Sequence, residues 1–279
     1  MTQLLRLLRP SAPRVGALLV CGILTSTAIL LTGTPLASAL NMNVGHSRYF
    51  AGYVATPTGG KYESAQVSFR VPTLTCTKRY SGQNESILQY MTVPDSGTYA
   101  GAYVAVDCDM GSAEYVANVM VEGYSGSCSG SLISVSPGHL VTLTETEEKI
   151  GNSGPLEATV SAKDKQTSCE EFDGYFPPPD GTVWTGICGY SSGTPSGSPV
   201  SGGTPPTYLC GTYPNGLNPK FTPVAFRDAT IVTKVTGNTS LGWWNPQAYN
   251  MKSDGTLMMK TSFPLKEDGE SFTVTAVQH

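Results

Sequence analysis

The sequence has few charged residues, few histidines and no clear helical pattern. Charged side chains make up 14% of the 279 residues, with 17 Lys and Arg against 21 Asp and Glu. This balance argues against nucleic-acid binding, which requires a basic surface. The chain has three His and no CxxC pair, so we expect neither a metal site nor a cofactor. Helical stripes rich in Ala, Glu, Lys and Leu are missing, which excludes a coiled coil or a helical bundle.

The residues that are abundant favour β-structure. The chain has 31 Gly, 20 Pro and 14 Tyr, and these and other turn-forming residues separate segments rich in β-branched and aromatic side chains. A spacing of about 10–15 residues between such segments is typical of a sandwich or barrel of antiparallel strands. The predicted strands are Ala65–Val71, Ser86–Val93, Ala102–Asp107, Tyr115–Val121, Leu132–Val135, Leu140–Thr144, Glu157–Ala162, Ala229–Thr236 and Phe272–Val277.

The first 39 residues have the pattern of a secretory signal peptide. Three arginines come first, the uncharged stretch Val15–Leu31 follows, and Pro35–Ala39 ends in small residues. A membrane anchor is the alternative, but the apolar stretch is short for a membrane span. We therefore predict a secreted protein with no membrane span after cleavage. Loss of the three arginines changes the net charge from −4 to −7.

The cysteines of the mature chain suggest a disulfide framework. An even number of cysteines in an exported protein favours disulfides, and six cysteines allow fifteen pairings. We predict one domain over residues 40–279, with a Gly-, Ser- and Pro-rich insertion at about 170–206 that Cys169 and Cys188 flank and staple. The six candidates are Cys76, Cys108, Cys128, Cys169, Cys188 and Cys210.

Two kinds of polar or aromatic cluster require interpretation. The acidic runs Glu145–Glu148 and Glu170–Glu171 are of the kind that lies in water. Trp243 and Trp244, with Tyr249, could form a platform on which a sugar ring stacks, or could anchor a loop. Neither pattern identifies a reaction.

Seven segments of the mature chain form an ordered set of motifs. They are Phe50–Thr56, Gln66–Pro72, Ala105–Asp107, Tyr115–Val121, Ile133–His139, Phe226–Ala229 and Asp268–Thr275. Taken in order and with their spacing, they resemble the glutamic peptidases, or eqolisins. The first, FAGYVAT, is similar to the opening "(W/F)AGY" of that family, and a strand ending in Val-Pro follows it. The later segments resemble the family's "GVD" strand end, its aromatic and acidic strand, its "I-x-V-x-x-G-D" hairpin and its closing strands.

The resemblance implies a fold and a site. The fold would be all-β, a bent sandwich of two antiparallel sheets of the concanavalin A-like lectin and glucanase type. The site would lie in a groove on one sheet and bind a peptide or protein. In the family a Glu acts first as general base and then as general acid, and a Gln amide holds the water and polarises the oxyanion.

The sequence departs from the family at both catalytic positions. Gly211 stands at the expected Glu position, and no Asp or Glu occurs between Asp180 and Asp228. Tyr103 stands at the expected Gln position, although literal matching of the motif selects Gln89 instead. The candidate groove residues in this alignment are Leu88, Tyr90, Thr92, Tyr103, Asn118 and Met120.

These departures favour a protein that has lost peptidase activity. We predict an extracellular binding or interaction module whose groove takes a peptide, a protein or a glycan. One alternative is an active acid endopeptidase in which another carboxylate, such as Glu122 or Glu171, reaches the groove. A second alternative is a lectin-like carbohydrate binder that uses the tryptophans and tyrosines.

Overall fold

A computed structural model describes residues 44–56, 62–76, 86–94, 99–109, 111–122, 126–147, 154–173, 182–189, 220–233, 235–266 and 268–277. For residues 62, 86–94, 99, 109, 122, 172 and 173 it describes the backbone alone. The predicted signal peptide, most of the predicted insertion, Cys210 and Gly211 lie outside the described residues.

The described residues form strands and one short 3-10 helix, Leu241–Trp244. The strands are β1 (Gly45–Ser47), β2 (Phe50–Ala55), β3 (Tyr62–Arg70), β4 (Leu74–Thr75), β5 (Ser86–Pro94), β6 (Tyr99–Asp109), β7 (Ser112–Glu122), β8 (Ser127–Ser129), β9 (Ile133–Ser134), β10 (Leu140–Glu147), β11 (Gly154–Ala162), β12 (Lys165–Asp173), β13 (Val183–Gly189), β14 (Lys220–Phe221), β15 (Val224–Thr233), β16 (Gly237–Ser240), β17 (Gln247–Ser253), β18 (Thr256–Thr261) and β19 (Phe272–Ala276).

Most strands pair into two layers, which confirms the predicted all-β sandwich, while β16 pairs with β15 and β4 pairs with β14 in a separate two-stranded sheet. Sheet 1 runs β7, β6, β5, β13, β2, β17, β1, with β8 and β9 both on the free side of β7. Sheet 2 runs β12, β11, β10, β3, β15, β19, β18. Strand β18 also pairs with β17, so the two layers are continuous at that end. The described pairings are antiparallel except that of β1 with β17, which is parallel.

The hydrophobic core lies between the two sheets. Strand β11 has one face toward this core, because every second residue from Gly154 to Ala162 is buried and the residues between them are partly exposed. Aromatic rings join the layers near the β19 end: Tyr53 of sheet 1 packs edge-on against Phe272 at 4.9 Å. Phe272 in turn stacks on Phe226 at 4.7 Å. This burial fixes which face of each strand points outward.

Strand β13 occupies the middle of sheet 1. It pairs with β2 on one side and with β5 on the other. All of its residues, Val183–Gly189, are buried. It lies within the stretch that the sequence suggested as an insertion, so part of that stretch belongs to the sheet.

Two disulfides are described in full. Cys76 bonds to Cys108, and Cys128 bonds to Cys169 with a Cα–Cα distance of 6.0 Å. The second bond joins β8 of sheet 1 to β12 of sheet 2. The predicted pairing of Cys169 with Cys188 is therefore wrong, although Cys188 is also disulfide-bonded. These bonds are compatible with an extracellular protein.

Among the described residues, no helix has the length and apolar character that a membrane crossing requires.

Candidate functional site

The six predicted groove positions fall together on the outer face of sheet 1, the face turned away from the core. Tyr103 of β6 lies opposite Tyr90 of β5 and Asn118 of β7. The adjacent core-facing positions on β6, Ala102 and Val104, are fully buried, so Tyr103 faces outward. One row of the outer face therefore runs through Tyr90, Tyr103 and Asn118.

The remaining predicted positions flank this row. Gly101 of β6 pairs with both Thr92 and Met120, which makes the next row along the strands. Leu88 pairs with Ala105 and belongs to the row on the other side. The register thus brings the six positions into three adjacent rows, and their role as groove residues stays a prediction.

The described side chains of this surface are neutral and partly fixed. Asn118 is only 6% exposed, and its Nδ2 donates a hydrogen bond to Ser129 Oγ at 3.2 Å. Its Oδ1 accepts from the backbone N–H of Val119 at 2.8 Å. Tyr103 and Met120 are partly exposed, so they remain accessible to a ligand.

An aromatic cluster continues the same face across β13, β2 and β17. Phe50 packs against Trp184 at 5.4 Å with a T-shaped geometry, and Trp184 stacks on Tyr249 at 6.3 Å. Phe50 and Trp184 are buried, whereas Tyr249 is partly exposed. The cluster gives the outer face a rigid aromatic end.

Two glycines in the row that runs through Tyr90 and Tyr103 make room for these aromatic rings. Gly52 and Gly186 face each other across the β2–β13 pair. A Cβ on Gly186 would lie 2.5 Å from the ring of Phe50 and 2.2 Å from the carbonyl oxygen of Ala51. A side chain at this position would displace both the ring and the strand, so the local sequence Thr-Gly-Ile is required for the close approach.

Trp243, Trp244 and Tyr249, which the sequence suggested as a sugar platform or a loop anchor, have separate contacts in the described structure. Trp243 is 64% exposed on the 3-10 helix, and the indole N–H of Trp244 donates to Thr239 Oγ1 at 3.0 Å. The described ring contacts of Tyr249 are with Phe50 and Trp184 instead. Trp244 thus anchors the helix to β16, and Tyr249 belongs to the outer face of sheet 1.

Two acids of this face, Asp107 and Glu114, lie toward one end, and the backbone register places Glu122 toward the other end, two residues beyond Met120. Asp107 and Glu114 are directly opposite each other on β6 and β7. Asp107 is four residues from Tyr103 along the strand, which corresponds to about 13 Å. The three rows around Tyr103 hold no Asp or Glu among their described positions.

One of the two acids proposed as replacements, Glu171, has a described side chain. The carboxylate of Glu171 lies 3.8 Å from the position that a Cβ on Gly126 would take, at the edge between β12 and β8. The side chain of Glu122 lies outside the described atoms. In the described part of the chain, no group of three or more His, Cys, Asp or Glu residues is placed to hold a metal ion.

The catalytic roles considered for Gln89 and for the position of Gly211 stay predictions. The backbone of Gln89 lies opposite Val104 and Ile187, which are both core residues, and only its backbone is described. Its register therefore assigns Gln89 to the core-facing row, adjacent to the row of Tyr103. Gly211 lies outside the described residues.

Glu145 is a buried acid that the sequence analysis placed in water, and that expectation is wrong. Val141, Leu143 and Glu145 share the inner face of β10, and Glu145 is fully buried. Its cross-strand neighbours are Ala65 and Ala158, whose short side chains leave room for a longer one. The alternation V-x-L-x-E was the signal that could have located this residue in the core.

The environment of Glu145 favours its neutral form. Burial raises the pKa of the carboxyl group well above its ordinary value of 4.5. The backbone N–H of Ala102, on the facing sheet, donates to Oε1 at 3.3 Å and opposes this shift only in part. Glu145 faces the core, on the other side of sheet 1 from Tyr103.

The sandwich is similar to solved structures of a glutamic peptidase. Scytalido-glutamic peptidase with a peptide-based transition-state analog matches with a TM-score of 0.50 and 14% sequence identity, over 83% of this chain and 99% of that chain. A second structure, Scytalido-glutamic peptidase with a transition-state analog inhibitor, has a TM-score of 0.49 at the same identity and coverage. No protein-family model and no curated protein sequence matches the chain. The first likeness shows a glutamic-peptidase-like fold.

Proposed function

We propose that this protein is a secreted binding module with a glutamic-peptidase-like fold that lacks peptidase activity. Its ligand is an extended peptide segment that lies on the outer face of sheet 1, across the row of Tyr103 and Asn118. The predicted signal peptide and the disulfides support an extracellular location.

The observation that carries this proposal is that the described residues in the middle of the outer face of sheet 1 include no acid. Hydrolysis of a peptide bond by this type of chemistry requires a carboxylate within hydrogen-bond reach of the attacking water. The described positions around Tyr103 hold none, and β13, the central strand of the sheet, is also free of acid. Glu145 is buried on the core side of the sheet.

The same surface is suited to binding. The partly exposed Tyr103 and Tyr249 offer apolar ring faces with a hydroxyl, and Met120 adds an adaptable apolar side chain. The side-chain amide of Asn118 is held in place by Ser129 and by its own strand. A solved protein of similar fold binds a peptide-based transition-state analog, which supports a peptide as the ligand class.

The decisive experiment uses the mature protein, residues 40–279. It would be incubated with a denatured protein substrate from pH 2 to pH 7, and cleavage would be followed by mass spectrometry. We expect no cleavage at any pH. Acid-dependent cleavage that disappears on Glu122→Gln, Glu145→Gln or Glu171→Gln would show the active endopeptidase with a relocated carboxylate and overturn the proposal.

Binding would be tested with an immobilised peptide library. We expect Tyr103→Ala to weaken peptide binding at least about tenfold, because an aromatic anchor at an interface commonly contributes 2 kcal/mol or more. Trp243→Ala is the matched control, since it removes an exposed aromatic side chain from the 3-10 helix. Glycan-array binding that is lost in Trp243→Ala and kept in Tyr103→Ala would support the lectin-like alternative instead.

A further inference from the structure

The outer face of sheet 2 has a cavity that the proposed function does not use. Its volume is about 400 Å³, and it lies where β3 ends, β10 begins and β11 turns into β12. Because sheet 2 is the other layer of the sandwich, this cavity is on the opposite side of the domain from Tyr103. The described residues that line it are Arg70, Gly138, His139, Leu140, Thr142, Ser161 and Lys163.

Two basic residues, Arg70 and Lys163, line the cavity. Leu140 pairs with Arg70, and the next residue, Val141, pairs with Ala162, so Lys163 adjoins Leu140 on the other side. The backbones of β3 and β11 are about 10 Å apart across β10, a span that both long side chains can bridge toward a common ligand. Among the described residues no carboxylate lines the cavity. The net charge of the whole chain is −4, so this patch has the opposite sign to the protein.

Two hydroxyl residues, Thr142 and Ser161, are among the residues that line the cavity. Thr142 lies opposite Ser161 on one side and Ser68 on the other. The Oγ of Ser68 and the Oγ1 of Thr142 share a hydrogen bond of 2.9 Å. Hydroxyl donors beside two cations match the requirements of an oxyanion, which accepts several hydrogen bonds at once.

The cationic wall is held by backbone hydrogen bonds. Arg70 Nη1 donates to the carbonyl oxygen of Gly138 at 2.8 Å, and the guanidinium keeps further N–H donors for a ligand. The N–H of Gly138 donates to the carbonyl oxygen of Val71 at 2.8 Å, which ties the turn to the end of β3. Lys163 has a positive φ of 58° in the β11–β12 turn, a backbone conformation that Asn also tolerates.

We propose that this cavity binds an organic oxyanion, a phosphate or sulfate ester of a small molecule. Arg70 and Lys163 contact the anionic group, and Thr142 and Ser161 donate hydrogen bonds to its oxygens. The cavity falls in the range of about 300–1,000 Å³ that small-molecule sites occupy, which exceeds the size of a bare oxyanion. Leu140, which is 52% exposed at the rim, contacts the carbon part of the ester.

The test is a calorimetric titration of the mature protein with glucose 6-phosphate, glucose 6-sulfate and glucose at constant ionic strength. We expect saturable binding of at least one ester and none of glucose. If only one ester binds, that result identifies the anion. Lys163→Asn should weaken ester binding about tenfold or more, because it removes a charge-assisted hydrogen bond. Asn tolerates the positive φ at this position, so the turn is kept.

Matched variants complete the design. Lys220→Gln removes an exposed cation outside the cavity and should leave the affinity unchanged. Arg70→Gln should also weaken ester binding, but it removes the hydrogen bond to Gly138 and could loosen the turn. Lys163→Asn keeps that hydrogen bond, so it tests the role of the positive charge by itself. Esters that bind no more tightly than glucose would overturn the proposal, and so would equal weakening by Lys163→Asn and Lys220→Gln. Neither result affects the proposal for the outer face of sheet 1.

Discussion

Glu145 makes the stability of the fold depend on pH in an unusual direction. Burial raises its pKa in the folded protein above the ordinary value of 4.5 that it has in the unfolded chain. The folded state therefore keeps a proton that the unfolded state releases. The stability linked to this proton is fully present below about pH 4.5 and is lost as the pH rises through the folded-state pKa.

The size of the effect follows from one proton. Where only the folded state binds it, the free energy of unfolding falls by about 1.4 kcal/mol for each unit of pH. Glu147, the next acid on the inner face of β10, is partly exposed and does not share the complete burial of Glu145. Asp268 acts in the opposite direction and in a lower window: the backbone N–H of Glu270 holds its pKa below the ordinary value of 3.8, so its contribution is lost only in stronger acid.

The assay is urea unfolding of the mature protein at intervals from pH 4 to pH 8. The wild-type protein should lose stability above pH 4.5, and Glu145→Gln should remove that part of the slope. The Gln amide has nearly the same shape and can still accept the Ala102 N–H, so the two proteins should have similar stability at pH 4. At pH 7 the variant should be the more stable of the two.

A control variant distinguishes the effect of the Glu145 carboxyl group from that of an exposed acid. Glu170→Gln removes an exposed acid of β12 and should leave the slope unchanged. Parallel curves for the wild-type protein and Glu145→Gln between pH 4.5 and pH 8 would refute the reasoning, because they would show that Glu145 titrates alike in the folded and unfolded states.

Three further changes test the packing. Gly186→Ala should destabilise the fold by about 3 kcal/mol, since the added methyl group would lie 2.2 Å from a backbone oxygen. Its control, Gly255→Ala, has open space at the Cβ and should cost about 1 kcal/mol in the same urea assay. Replacing Cys128 and Cys169 together by Ser should cost about 4 kcal/mol, because the bond closes a loop with a sequence separation of 41, and thermal unfolding would show it. Tyr53→Phe removes the hydrogen bond of its hydroxyl to a backbone oxygen, 2.8 Å long, and should cost about 1 kcal/mol.

Strands with one exposed face could be predicted from the sequence. Leu140–Thr144 and Glu157–Ala162 alternate, and the structure has β10 and β11 there. Strand β13 was missed because both of its faces are buried, so its residues do not alternate. Strand β12 was missed because it reads as polar, with only its core-facing Thr167 and Cys169 buried in the middle of the strand.

The site was predictable as a set of positions and not as a set of contacts. Once β6 was aligned, the two-residue period of a strand was sufficient to place Tyr103, Asn118 and Met120 on one face. The cluster of Phe50, Trp184 and Tyr249 depends on pairing between strands that are distant in the chain. A sequence does not reveal such pairing by periodicity, and the same is true of the cavity between Arg70 and Lys163.

The central position of β13 also determines when the domain can form during synthesis. Cys188 pairs with both Phe50 and Leu88, so the two early strands β2 and β5 stay unpaired on their facing edges until residue 189 has emerged. Unpaired strand edges recruit other chains, and long-range pairing of this kind is slow. A fragment that ends before β13 should therefore aggregate rather than fold. Completion of sheet 1 thus waits for β13, the strand that joins its two halves.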